Sequence, residues 1–83
     1  MTAKIEVLLF ARLRDLAGSD RVRIEVPLPI MAQKLRAALA RLLPDAADLL
    51  ARCAVAADGV YQADDEPINP HAEIAIIPPV SGG

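Results

Sequence analysis

One cysteine, one histidine, no tryptophan, one phenylalanine and one tyrosine are all this chain has of those types. A single cysteine cannot close an internal disulfide, which excludes a stapled secreted scaffold. One cysteine and one histidine cannot supply the four ligands of a zinc site. The four glycines, Gly18, Gly59, Gly82 and Gly83, are isolated or terminal, so no glycine-rich phosphate loop is present. With so few aromatic rings, base stacking has almost nothing to work with. The apolar runs are all far shorter than the roughly 20 residues of a membrane-spanning helix. Nor does the start show a basic segment, an apolar run and a cleavage site, so the expected location is the cytoplasm. Beyond Arg52 there is no lysine or arginine at all. A nucleic-acid surface is therefore not expected, because phosphate binding needs basic side chains.

Against these absences stands a chain of 83 residues that is 54% hydrophobic and 24% charged, with net charge −2. That is one folded domain with an aliphatic core. Met1 to Arg52 holds nine basic and six acidic residues, net +3, and Cys53 to Gly83 holds five acidic residues, net −5. The acidic half reads either as a solvated face or as a steering field for a basic partner.

Residues 3–10 read as a strand with Ile5, Val7 and Leu9 on one face and Lys4, Glu6, Leu8 and Phe10 on the other. Residues 11–17 read as a short helix or turn stopped by Gly18. A second strand covers 20–26, with Val22, Ile24 and Val26 inward, and Pro27 and Pro29 end it. The main helix is expected over 30–43, with Met31, Leu35, Leu39, Leu42 and Leu43 on its apolar face. Pro44 stops it, and Asp45 is placed to cap a second short helix. Residues 53–57 and 60–62 read as a hairpin around the Asp58-Gly59 turn, 63–71 as a polar loop, and 73–77 as the last strand. Hairpin, helix, short strands and a final strand make an α+β β-grasp domain over residues 1–77, a mixed sheet covered by one main helix. A different small α+β fold with the same element order is the alternative. Residues 78–83 form a flexible tail ending in Gly-Gly.

Few residues here could carry chemistry. Asp64, Asp65 and Glu66 lack the spacing of a calcium loop, and no metal site is expected. His71 is isolated in the polar loop, with no partner to make it a base. Cys53 opens an apolar stretch, where a thiol acts as a small buried hydrophobe. The tail is different. Two terminal glycines without side chains can enter a channel too narrow for other residues, and they present the α-carboxylate at the tip. The prolines before them restrict the backbone and reduce the ordering cost of docking. At the tail's root, parallel pairing of the first and last strands clusters Leu8, Phe10, Ala75 and Ile77 into an apolar docking patch. The alternative covers that face with the helix and leaves Ile5, Val7 and Leu9 to solvent.

The opening LLFARLRDLAG and the closing EIAIIPPVSGG resemble the small subunits of molybdopterin synthase, a family of ubiquitin-like sulfur carriers. The resemblance extends over essentially the whole chain. It implies a ubiquitin-like β-grasp fold and a carrier with no catalytic site of its own and no permanently bound cofactor. An ATP-dependent adenylating enzyme would convert Gly83 to an acyl-adenylate, and a sulfur-donor enzyme would turn that into a thiocarboxylate. The tail would then enter the large synthase subunit, in a complex of two small and two large subunits. There the sulfur would pass to cyclic pyranopterin monophosphate. Mapped by position, Gly83 carries the sulfur, Gly82 and Ser81 thread, and Leu8, Phe10, Ile77, Pro78, Pro79 and Val80 meet the partner. Arg12 lies in the matched opening segment without an assigned role. The family often has an aromatic residue where Ile77 stands and an asparagine near the Ala57-Asp58 turn. A carrier for thiamine or cysteine synthesis and a ubiquitin-like protein modifier are the neighbouring readings.

Overall fold

The computed structural model describes residues 1–79. The chain starts with strand β1 (Thr2–Leu9), in which buried Ile5, Val7 and Leu9 alternate with exposed or half-buried residues. Helix α1 (Ala11–Ala17) follows and buries Leu13. It ends at Gly18, whose φ of 73° is left-handed and whose N–H donates to the Arg14 carbonyl at 2.9 Å. Glycine adopts that conformation without steric cost. Strand β2 (Arg21–Pro27) then returns antiparallel to β1, pairing Ile5 with Ile24 and Val7 with Val22.

Strand β3 (Ile30–Met31) leads directly into helix α2 (Ala32–Leu42), followed by a 3₁₀ turn (Pro44–Ala46) and helix α3 (Ala47–Leu50). Strand β4 (Ala54–Ala57) and strand β5 (Val60–Tyr61) form the second hairpin. Its turn residues Asp58 and Gly59 both have positive φ, 50° and 81°, as a two-residue hairpin turn that matches strand twist requires. Asp58 also donates its N–H to the Glu73 carbonyl and accepts the Glu73 N–H on Oδ1, both at 2.9 Å. The turn is thereby tied to the start of the last strand. Aspartate tolerates the left-handed region as asparagine does, so Asp58 meets this turn's needs without an asparagine.

Strand β6 (Pro67–Ile68) pairs with β3, and strand β7 (Ile74–Ile77) inserts between β1 and β4. The main sheet has the order β2-β1-β7-β4-β5, with β7 parallel to β1 and antiparallel to β4. Its inner face and the buried side of α2 make one core. Val7, Leu9, Val26, Leu35, Leu39, Leu50, Val55, Ile74 and Ile76 all lie at or below 1% exposure there.

Four expectations change. The main helix begins at Ala32 rather than residue 30, because Ile30 and Met31 extend to pair with Ile68 and Pro67. By the same pairing, the stretch 63–71 is not all loop, since it returns to bury Ile68. Leu42 is half exposed, because it lies in the helix's last turn, past the core that Leu35 and Leu39 fill. Asp45 caps nothing: Pro44 starts the 3₁₀ turn one residue earlier, so Asp45 falls inside it and its side chain makes no capping bond.

Candidate functional site: the outer face at the root of the tail

The outer face of the sheet changes character along β1. At its start, Thr2 Oγ1 donates to Glu25 at 3.0 Å, and Glu6 accepts from Arg21 at 3.0 Å with Arg23 at 3.8 Å. Past Glu6 the outward residues of β1 are apolar, and although Leu8 still faces Arg21 on the β2 side, its neighbours toward β7 are apolar as well. Leu8 lies opposite Ala75, Ala75 opposite Ala56, and Ala56 opposite Tyr61, an apolar row across four strands. One step further, Ile77 lies opposite Ala54. Leu9 is paired with Ile76, so Phe10, next on the chain with extended backbone (φ −125°, ψ 155°), is level with Ile77 on the outer side.

A local device keeps Phe10 there. Ala11 takes a positive φ of 51°, an uncommon conformation for a residue other than glycine. It turns the chain sharply, so Leu13 enters the core two residues later while Phe10 stays 47% exposed. Leu8, Ala75 and Ile77 are half-buried, and Tyr61 is 68% exposed at the sheet's edge. Such a cluster has the character of an interaction surface.

The structure therefore brings Leu8, Phe10 and Ile77 together, with Pro78 half-buried and Pro79 exposed just beyond. Of the two readings for β1, the helix covers Ile5, Val7 and Leu9, and the other face stays open. Val80, Ser81, Gly82 and Gly83 lie outside the described residues. Sequence reasoning missed Tyr61, Ala54 and Ala56 in the same face. The signal was the Asp58-Gly59 turn, whose two-residue length fixes Ala56 opposite Tyr61.

The remaining polar candidates are placed elsewhere. Cys53 is 5% exposed and donates its S–H to the Leu49 carbonyl at 3.1 Å. Burial pushes its thiol pKa up, with the Arg36 and Arg52 charges pulling the other way. Asp64 accepts from Arg36 at 2.7 Å. His71 is exposed, and its backbone N–H donates to Asn69 Oδ1 at 2.8 Å. Among the described residues, no group of three or more His, Cys, Asp or Glu side chains is arranged to hold a metal ion. None of the described helices is long and apolar enough to cross a membrane.

Comparison with known proteins agrees with this architecture. The ThiS family matches residues 7–83. The molybdopterin synthase sulfur carrier subunit of Arabidopsis thaliana is 33% identical over 82 residues, covering 99% of this chain and 85% of that protein. The Dictyostelium discoideum protein of the same name is 35% identical over 86 residues, and the match covers both chains completely. Among solved structures, SAMP1 from Haloferax volcanii, a small archaeal modifier protein, superposes with a TM-score of 0.79 at 29% identity, covering 98% of this chain and 100% of that one. The fold is a ubiquitin-like β-grasp, and the chain belongs to the ThiS family, in its group of molybdopterin synthase sulfur carrier subunits.

Proposed function

We propose that this chain is the sulfur carrier subunit of a molybdopterin synthase and holds its cargo at Gly83. The observation that carries the reading is the parallel pairing of β1 with β7, which sets Leu8, Phe10 and Ile77 around the residues where the chain leaves the sheet. An apolar face at a tail's root docks the domain while the tail reaches into another protein. Pro78 and Pro79 restrict the first two tail residues, so fewer conformations are lost on docking. Ser81, Gly82 and Gly83 are small enough to thread a narrow channel.

A free carboxylate is a poor acyl donor. In the proposed cycle an adenylating enzyme directs the Gly83 carboxylate onto the α-phosphate of ATP, and pyrophosphate leaves. Sulfide-level sulfur (HS⁻) delivered by a donor enzyme then attacks the acyl carbon, the C–O bond to AMP breaks, and AMP leaves behind a thiocarboxylate. The domain docks on the large synthase subunit, two of each per complex, and the sulfur passes to cyclic pyranopterin monophosphate there. The large subunit supplies the catalytic site; this chain supplies the docking face, the tail and the sulfur. The work is cytoplasmic.

The test is the mass of the tail after incubation with an adenylating enzyme, ATP and a sulfur donor. Cleavage after Glu73 frees residues 74–83, which contain neither methionine nor cysteine. Oxidation of those side chains therefore cannot imitate the exchange of oxygen for sulfur. An ATP-dependent gain on that peptide is the expected result. No gain, with an enzyme that loads another carrier, overturns the reading. The likeness to a small archaeal modifier favours a second one, in which Gly83 forms an amide with lysines of target proteins. It predicts higher-mass conjugates that vanish when Gly83 is deleted. A carrier serving thiamine or cysteine synthesis would load in the same way but fail to capture the large synthase subunit.

A further inference from the structure

The other end of the sheet carries a second, independent feature. Among the described residues, strand β2 lies at the edge and pairs only with β1. Two bonds fix which of its backbone groups point outward. Leu28 N–H donates to the Met1 carbonyl at 2.9 Å, and Leu9 N–H donates to the Asp20 carbonyl at 2.8 Å. Both pairs lie in the β1–β2 register, so the pairs bonded across this ladder include Ala3 with Val26, Ile5 with Ile24 and Val7 with Val22. Arg21, Arg23 and Glu25 therefore present their N–H and C=O groups to the open edge. At Arg21 both are already used: Ser19 Oγ donates to its carbonyl at 2.8 Å and accepts its N–H at 3.3 Å. Pro27 has no N–H to offer. The groups left open run from Arg23 to Pro27, enough for one short strand.

Beside that stretch, between Pro27 and α2, lies a hollow of about 300 Å³ lined by Pro27, Lys34, Ala37, Ala38 and Arg41. Lys34 and Arg41 flank its alanine floor, and neither has a carboxylate partner within 4.0 Å among the described residues, whereas Arg21, Arg23 and Arg36 do. We propose that this edge takes an extended segment of another protein by strand addition, with an apolar side chain in the hollow and carboxylates answering Lys34 and Arg41. Main-chain bonds would supply affinity, and the hollow with its two cations would supply specificity. A second copy of this chain fits less well. Setting β2 against β2 would bring like-charged Lys34 and Arg41 pairs to one groove and add no new carboxylate beyond Glu25.

The probe is a capped peptide with a Val-Ile-Val core and two glutamates at each end, titrated into the full ¹⁵N-labelled chain. Saturable shifts at the Arg23, Glu25, Lys34, Ala38 and Arg41 amides are expected, with slowed exchange of the Arg23 and Glu25 amides. The same core flanked by lysines should bind about tenfold more weakly or worse. Arg23→Pro removes an outward donor without removing a ladder bond and should abolish the shifts. If that variant fails to fold, Lys34→Glu with Arg41→Glu should weaken binding about tenfold with an unchanged melting curve. No binding, equal binding of the lysine peptide, or shifts at Leu8, Phe10 and Ile77 instead would each overturn the proposal. So would concentration-dependent line broadening without peptide, which would mean that copies of the chain fill the edge themselves.

Discussion

Cys53 sits just before β4 with its S–H on the Leu49 carbonyl. Because burial raises its pKa in the fold, the unfolded thiol ionises first as pH rises. The unfolded state then holds fewer protons, so this group's contribution is fully present below the ordinary thiol range, near pH 8.5, and is lost above it. Native protein should accordingly alkylate slowly at neutral pH. Denaturant midpoints measured from pH 7 to 10 should fall, and Cys53→Ala should remove part of that slope at a cost of about 1 kcal/mol at pH 7. A slope identical in the variant would assign the loss to other groups. The buried role of this residue was legible in its apolar neighbours, Ala54 to Ala57. Its bond to Leu49 was not, because it depends on how α3 ends one turn earlier.

Helix α2 illustrates what periodicity does and does not report. Leu35 and Leu39 are fully buried, whereas Leu42, at the same helical spacing, is 50% exposed. Leu39→Ala should cost about 2–5 kcal/mol by leaving a cavity, and Leu42→Ala should stay within about 0.5 kcal/mol; chemical denaturation separates the two. Equal losses would mean that the end of the helix is covered by something further. Hydrophobic spacing was enough to find this helix and its inner face, since the pattern follows from helical geometry alone. Where the core stops is a property of the sheet beneath, and no window of the helix sequence contains it. The same limit hid β3. Ile30 and Met31 read as a first helical turn until Ile68 and Pro67, 38 and 36 residues further along the chain, come to lie beside them.

Across the whole molecule, two faces of one sheet do two jobs. The inner one is packed under α2, and the outer one runs from ion pairs at Glu6 to the apolar ground around Phe10 and Ile77. Changing Phe10 and Ile77 together to aspartate should leave the fold intact, because neither belongs to the buried core. Capture of the large synthase subunit should nevertheless drop by an order of magnitude or more, by loss of interface burial and added desolvation cost. Retained capture with a normal melting curve would remove this face from the docking account. Strand β1 announced the arrangement by being apolar on both sides near its end. Tyr61 stayed hidden because its strand is only two residues long and gains meaning from its neighbour. The parallel run of β1 and β7 also separates the molecule's ends. β1 is eight residues long, about 26 Å at roughly 3.3 Å per residue, and Met1 lies at the end away from Phe10 and Pro78. An affinity tag, dye or sensor surface attached at Met1 would leave the tail's surroundings clear. It would crowd Pro27 and Leu28 instead, so protein anchored at its N-terminus is suited to testing the Phe10 and Ile77 face and unsuited to testing the β2 edge.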